Sequence, residues 1–153
     1  MEWYDLWYRP GALPDQTLFP DEYEALVSTD NQPERVGLLL SRDLIFTTKI
    51  TGTAQALGFR MLTAGGVASA GATIEGRRPV AIFVDLSAGD LVEPSALAAY
   101  RKVSGEATPF IAFGSHVDTQ ALDAARAAGC DPVLPRSKFS AELPELLRRY
   151  LSA

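Results

Sequence analysis

The side chain of this sequence that is best placed for chemistry is Asp85, which follows the apolar run 80–84. An apolar run of this length, rich in β-branched residues, is typical of a strand buried on both faces, as in a parallel sheet covered by helices. In open sheets of this kind, ligands bind in the crevice beyond the carboxyl ends of the strands. Asp85 is therefore a candidate functional residue because of where its strand ends.

Four further strands are expected, because apolar runs alternate along the chain with segments of helical periodicity. The predicted strands are 36–40, 60–63, 80–84, 110–113 and 133–135. The predicted helices are 46–57, ended by Gly58, and 67–76, 94–103, 119–128 and about 141–151. Five strand–helix units in succession imply right-handed crossovers and a parallel sheet with helices on both faces. The predicted fold is a three-layer α/β/α domain around a doubly wound sheet of flavodoxin-like order 2-1-3-4-5.

This strand order brings a second group of polar residues towards Asp85. In the order 2-1-3-4-5, the carboxyl ends of strands one and three lie side by side where the strand order reverses. The segment after Leu40, which reads Ser41, Arg42 and Asp43, should therefore face Asp85. Asp43 also precedes a segment of helical periodicity, a position where aspartate is common as an N-cap.

Composition excludes several functional classes. With 153 residues, of which 47% are hydrophobic and 22% charged, the chain has the make-up of one globular domain. The single cysteine, Cys130, excludes an internal disulfide and favours a reducing cytoplasm. The sequence has no secretory signal pattern and no run of the roughly 18 apolar residues that a membrane helix needs. Because the net charge is -5, nucleic acid is not expected as a partner.

The negative charge is concentrated in residues 1–34, which carry eight acidic side chains against Arg9 alone. The same segment is rich in aromatic residues and contains four prolines, so no helical or strand period persists in it. We divide the chain into this N-terminal extension and a near-neutral domain at 35–153. Three interpretations of the extension stay open: an interaction arm, a poorly ordered terminus, and a start codon assigned upstream of a true start near Val36.

Two short motifs carry a resemblance to a known family. They are Ile-Phe-Val-Asp-Leu at 82–86 and Ala-Gly-Cys-Asp at 128–131. In their order and spacing within five βα units, residues 35–151 resemble the receiver (CheY-like) domain of two-component response regulators. The resemblance implies that Asp85 occupies the position of the aspartate that accepts a phosphoryl group from a histidine kinase. It also implies Mg²⁺, held by this aspartate and by an acidic pair after the first strand.

The acidic pair is where the sequence departs most from the family. Its positions are Ser41 and Arg42, and a hydroxyl with a guanidinium cannot provide two anionic ligands. We expect Arg42 to pair with Asp85 instead, in the two-bond arrangement that guanidinium and carboxylate favour. In another register, Asp43 is the one remaining metal ligand beside Asp85. An N-cap is the competing interpretation of Asp43.

Four other family positions are also altered. Gly114 stands at the position of a hydroxyl residue, with Ser115 following it, and Val133 replaces an aromatic residue. Arg136 replaces the lysine after strand five, for which Lys138 is a possible substitute. Ser137 replaces a proline that the family holds in a cis peptide, so we expect a trans bond there. Under the resemblance, Ser115, Arg136 and Lys138 join Asp85 as candidate site residues.

The retained aspartate and the altered neighbours together predict a degenerate pseudo-receiver. We expect a stand-alone signalling module that is not an enzyme, needs no cofactor, and binds a protein through strands four and five with the adjoining helices. The partner would be a histidine kinase, a phosphotransfer protein or an effector, and phosphotransfer would be altered or absent. The alternative is a Mg²⁺-dependent phosphoacceptor, phosphorylated on Asp85. A hydrolase triad of Ser115, His116 and Asp118 is not favoured, because residues adjacent in sequence rarely converge.

Overall fold

A computed structural model of the chain describes residues 35–153. The expectations for residues 1–34 lie outside the described residues. The domain is built on a five-stranded parallel sheet in the order β2-β1-β3-β4-β5, as predicted. The strands are β1 (Val36–Leu40), β2 (Arg60–Ala64), β3 (Ala81–Asp85), β4 (Phe110–Gly114) and β5 (Val133–Pro135).

Within residues 35–153, six α-helices cover the sheet. They are α1 (Leu44–Ala56), α2 (Val67–Arg77), α3 (Pro94–Ser104), α4 (Thr119–Ala127), α5 (Arg136–Ala141) and α6 (Leu143–Leu151), and a short 3₁₀ helix (Gly89–Val92) precedes α3. Local sequence explains several ends: Asp43 and Asp118 cap α1 and α4 through their side chains, and Pro94 is accepted in the first turn of α3. Within residues 35–153, no helix is long and apolar enough to cross a membrane.

The core lies in two layers, one on each face of the sheet. Along the central strands β1, β3 and β4, successive side chains enter opposite layers, as the two-residue period of a strand requires. In β3, for example, Ile82 packs into the layer under α2, α3 and α4, whereas Phe83 packs into the layer under α1, α5 and α6. All five residues of each central strand are buried, and this confirms the three-layer arrangement.

The last part of the chain differs from its prediction. A single helix at about 141–151 was expected, but two helices follow β5 with Glu142 between them. Pro144 explains where α6 begins, because proline fits the first turn of a helix but disrupts its interior. The additional helix α5 starts directly after β5, so it carries Arg136 to the carboxyl edge of the sheet.

Candidate functional site

Asp85 and the segment after β1 lie side by side at the carboxyl edge of the sheet. β1 and β3 are paired in parallel with Leu40 opposite Val84, so the next residue of each strand is also adjacent. The Ser41 hydroxyl donates to Asp85 Oδ2 at 2.7 Å. The predicted juxtaposition of these two segments is therefore confirmed.

The other carboxylate oxygen of Asp85 accepts three hydrogen bonds. Asp85 Oδ1 lies 3.0 Å from the Ser87 amide nitrogen, 2.7 Å from Ser87 Oγ and 3.2 Å from Arg136 Nη2. The Asp85 side chain is 0% exposed. A carboxylate can be buried at this depth because hydrogen bonds and one positive charge replace its hydration.

Arg136, the first residue of α5, provides that charge. Its Nη2 contacts Asp85 and also donates to Ser87 Oγ at 3.2 Å, while Nη1 lies 3.3 Å from Asp43 Oδ2. Its guanidinium carbon is 4.9 Å from the ring centroid of Phe46, a distance that permits a cation–π contact. Arg136 therefore bridges the two carboxylates of the site across a face of aromatic side chains.

Asp43 has two roles at once. Its Oδ1 accepts from the Phe46 amide at 2.9 Å, so the N-cap interpretation is correct, and its Oδ2 pairs with Arg136. The Phe46 hydrogen bond and then the Arg136 charge lower the pKa of Asp43. Ser41 Oγ also accepts from the Asp43 amide at 3.1 Å, which links the start of α1 to the Asp85 carboxylate.

The expected pairing of Arg42 with Asp85 is wrong. Arg42 Nη1 lies 2.6 Å from Asp90 Oδ1, and the same side chain donates to the carbonyls of Gly65 at 2.8 Å and Ala88 at 3.0 Å. Ser41 takes the place beside Asp85, so Arg42 is directed towards the β2–α2 loop and the 3₁₀ helix. Its guanidinium in turn lowers the pKa of Asp90.

Three further candidates lie outside the Asp85 hydrogen-bond network. Ser115 Oγ accepts from the Val117 amide at 3.4 Å. Lys138 Nζ lies 4.0 Å from Oε2 of Glu142, the residue between α5 and α6. Within residues 35–153, neither Ser115 nor Lys138 contacts Asp85 through a hydrogen bond or ion pair. His116 lines an open groove of about 460 Å³ beside Arg136, with Phe46, Ser115, Ser137 and Ser140.

The remaining altered positions are occupied as follows. Gly114 ends β4 against Leu86, whose Cβ would lie 3.1 Å from a Cβ added to the glycine. Val133 is buried and pairs with Ala112 in the sheet. Within residues 35–153, the cis peptide bonds are confined to Asp131–Pro132, so the bond before Ser137 is trans, as expected.

Two contributors to the site were not predicted from the sequence. Ser87 supplies two of the four donors to Asp85, and a signal for it was present, since Asp side chains commonly accept from the backbone two residues later. Asp90, the partner of Arg42, belongs to a 3₁₀ helix that no sequence periodicity predicts.

Known structures clarify what kind of domain carries this site. No protein-family model and no curated protein matches this chain. The receiver domain of a sensor histidine kinase from Pseudomonas aeruginosa PAO1, solved with a magnesium ion in its active site cleft, matches with a TM-score of 0.67 and 24% identity. The match covers 78% of this chain and 99% of that one. Residues 35–153 have the receiver-domain fold.

Two other solved structures agree with this assignment. A response regulator from Hahella chejuensis matches with a TM-score of 0.68 and 15% identity, over 78% of this chain and 97% of that one. A CheY-like receiver domain from Methanospirillum hungatei JF-1 matches with a TM-score of 0.66 and 15% identity, over 77% and 94%. At these identities the likeness concerns the fold, and the chemistry must be argued from the side chains.

The receiver fold raises the question of magnesium, and the side chains present do not fit that ion. Within residues 35–153, no group of three or more acidic, histidine or cysteine side chains could hold a metal. Asp43 and Asp85 are both within reach of the edge, but the Arg136 guanidinium lies between them. Mg²⁺ is usually held by one or two carboxylates together with waters, whereas the carboxylate oxygens of Asp43 and Asp85 already accept hydrogen bonds from the protein.

Proposed function

We propose that this chain is a receiver-like module of two-component signalling that acts by binding another protein, with phosphotransfer at Asp85 altered or absent. The observation that carries the proposal is the state of the Asp85 carboxylate. It is buried, and Ser41, Ser87 and Arg136 donate to its two oxygens. The working domain in this proposal is 35–153, and its location is the cytoplasm.

The chemistry of phosphoryl transfer supports this interpretation. A carboxylate attacks an anionic phosphoryl group only when an oxygen is free and a cation screens the repulsion. Here Arg136 supplies positive charge, but it also occupies the oxygen that it neutralises. Asp43, the other carboxylate at the edge, is engaged by the same guanidinium and by the amide of Phe46. We therefore do not assign an enzymatic activity to the domain.

Exposed apolar side chains support a role in protein binding. Val117, in the loop between β4 and α4, is 74% exposed, and Ile45, at the start of α1, is 85% exposed. Both belong to segments that leave the carboxyl edge of the sheet, but only Val117 lies in the connection between β4 and α4, whereas Ile45 is on α1. The surface we propose for the partner is the face formed by β4 and β5 with α4 and α5, and the partner is a histidine kinase, a phosphotransfer protein or an effector.

The alternative function is that of a Mg²⁺-dependent phosphoacceptor. The observation in its favour is the place of Asp85 at the carboxyl end of β3, since the P. aeruginosa receiver domain has a magnesium ion in its cleft. In this case Mg²⁺ and a phosphoryl donor would have to displace Arg136 from Asp85.

Beryllofluoride with Mg²⁺ distinguishes the two functions, because it mimics a phosphoryl group on aspartate. We expect the full chain to show no saturable binding by ¹⁹F NMR and no acyl phosphate after incubation with acetyl phosphate. Saturable binding that is lost in Asp85→Asn but kept in Asp123→Asn would establish the phosphoacceptor. Asp123 is a suitable control, because its exposed carboxylate pairs with Arg126 on α4, away from the site.

A further inference from the structure

The amino ends of the strands, at the opposite edge of the sheet from Asp85, border a groove of about 400 Å³. It lies where α2 and α3 end and where the connections to β3 and β4 begin. Two arginines stand on its rim, and its remaining walls are apolar or carry hydroxyls. The lining residues are Arg35, Ile74, Arg78, Pro79, Val80, Ser104, Ala107 and Thr108. In the described part of the chain these lining residues include no carboxylate, so the groove favours a negatively charged ligand.

Arg78 has an unusual backbone conformation. It ends α2 with φ 47° and ψ 65°, and its amide donates to the Ile74 carbonyl at 3.1 Å. Among residues 35–153 it is the one residue other than glycine with a positive φ. Glycine is preferred at this position of a helix end, because a Cβ is unfavourable in the left-handed region. The sequence therefore has an arginine where local structure favours glycine, and a backbone conformation that disfavours its own side chain is a feature found at functional positions.

The Arg78 guanidinium is available for a ligand. Its side chain is exposed, and it makes no hydrogen bond or ion pair within residues 35–153. Arg35, on the same rim, is held in place by donating to the carbonyls of Leu151 at 3.3 Å and Ser152 at 2.7 Å. The groove thus combines one fixed guanidinium with one that is free to pair.

The other polar groups of the groove do not favour a small anion such as phosphate. Thr108 Oγ1 donates to the Ser104 carbonyl at 3.1 Å, and Ser104 Oγ is directed at the carbonyls of Arg101 and Gly105. Their protons are therefore committed to the backbone, and the guanidiniums remain the charged donors. Ile74 and Val80 give the groove an apolar surface as well, which a phosphate ion cannot use.

We propose that this groove binds an acidic peptide segment of a partner protein. Carboxylates of the peptide pair with Arg78 and Arg35, and one apolar side chain packs against Ile74 and Val80. Charge complementarity carries the choice of ligand, because the rim is cationic and, within residues 35–153, no acidic side chain lines the groove. The proposal goes beyond the receiver-like function, since it concerns the edge of the sheet that is farthest from Asp85.

The test is a titration of the full chain with the blocked peptide Glu-Glu-Leu-Glu-Glu. Binding is monitored through the methyl signals of Ile74, Val80 and Ala107 in ¹H–¹³C NMR spectra. We expect these signals to shift in a saturable manner. Replacing leucine by glycine in the peptide should weaken binding several-fold, and Gln-Gln-Leu-Gln-Gln should not bind. Arg78→Gly should weaken binding of the acidic peptide at least about tenfold while its Tm stays equal to that of the wild type or rises, because glycine fits the left-handed conformation.

Arg149→Gln is the matched control, since Arg149 is an exposed arginine that does not line the groove. It should leave the peptide affinity within about twofold of wild type. The proposal is overturned if wild type does not bind the acidic peptide, if Arg78→Gly binds it as tightly as wild type, or if Arg149→Gln loses as much affinity as Arg78→Gly. It is also overturned if inorganic phosphate binds the groove in an Arg78-dependent way and excludes the peptide, because the groove would then be a small-anion site. None of these results depends on whether Asp85 accepts a phosphoryl group.

Discussion

Phe83 and Asp85 lie two residues apart on the same face of β3, and both are fully buried. The free energies of burying the two side chains nevertheless have opposite signs. Phe83 packs among apolar side chains, and its burial is favourable by itself. Burial of the Asp85 carboxylate is unfavourable unless its charge and its oxygens are satisfied. The interior of the sheet is thus stable because its residues are apolar. The carboxyl edge is stable because specific polar partners contact its buried charge.

The difference determines how each region should respond to substitution. Removal of a core side chain leaves a void whose cost depends on local packing. Removal of a partner of Asp85 leaves a buried charge without compensation, and that cost can be cancelled by removing the charge as well. The comparison would fail if a substitution at the carboxyl edge cost only what its void costs, or if the loss from a core substitution were cancelled by a second substitution that removes a charge.

The largest effect is expected in the core, for Phe83→Ala. The Phe83 ring is fully buried and makes edge contacts with Phe139 and Tyr150 at centroid distances of 6.2 and 6.5 Å. Its truncation should lower the free energy of unfolding by about 3–5 kcal/mol, measured by urea denaturation. Val117→Ala is the control, because Val117 is exposed and its change should stay within about 0.5 kcal/mol. Equal effects at the two positions would contradict the assignment of the core.

The second prediction concerns the cation of the edge. Arg136→Gln should lower the free energy of unfolding by about 2–3 kcal/mol, because Asp85 stays buried without its counter-charge. This is less than for a fully enclosed ion pair, since the Arg136 side chain is 33% exposed and water can reach the vacated space. Urea denaturation at neutral pH measures the loss.

A double substitution tests whether Arg136 stabilises the domain by compensating the Asp85 charge or by packing. Asp85→Asn keeps the shape of the side chain but removes its charge, so Arg136→Gln should cost at least about 1 kcal/mol less in the Asp85→Asn background than in wild type. Additive losses would mean that Arg136 stabilises the domain by packing on Phe46 and Phe113 rather than by compensating Asp85.

The same distinction explains which parts of the structure could be predicted from the sequence. Strand positions and their order follow from apolar runs and turn residues, which are local properties, so β1 and β5 were predicted with their observed bounds. The place of Asp85 followed from the strand order. Among its partners, Arg136 was a candidate only through the family resemblance, and Ser87 was missed although an Asp side chain commonly accepts from the backbone two residues later. The exact contacts depend on side-chain directions, which no periodicity of the sequence records.

The Arg42 prediction failed for a related reason. Two arginines, Arg42 and Arg136, come from the segments that border the site, and sequence spacing favoured Arg42, which lies two residues after the end of β1. Its direction depends on which of Ser41 and Arg42 faces Asp85, a choice that a shift by one residue reverses. The unpredicted 3₁₀ helix then offered Arg42 a carboxylate, Asp90.

The third prediction uses this pair of arginines to sharpen the comparison within the edge itself. Arg42→Gln should lower the free energy of unfolding by about 1 kcal/mol or less, because its ion pair with Asp90 is exposed, with side-chain exposures of 42% and 64%. The loss should also shrink in high salt, whereas the loss in Arg136→Gln should change little. If Arg42→Gln were as destabilising as Arg136→Gln, burial would not be what separates the two ion pairs.

The last prediction concerns Asp43 and the way in which the free energy of unfolding changes with pH in the acidic range. The Phe46 hydrogen bond and Arg136 hold the pKa of Asp43 below its usual value of 3.8, so the folded state binds a proton less readily than the unfolded state. Asp43 therefore contributes stability that is complete above the unfolded pKa and is lost as the pH falls through the folded pKa. Asp43→Asn keeps an effective N-cap but does not titrate. Urea denaturation should show wild type as the more stable protein at about pH 7 and a narrowing difference below about pH 4. A difference that is constant with pH would contradict the lowered pKa and would mean that the Asp43 charge strengthens neither the cap of α1 nor the contact with Arg136.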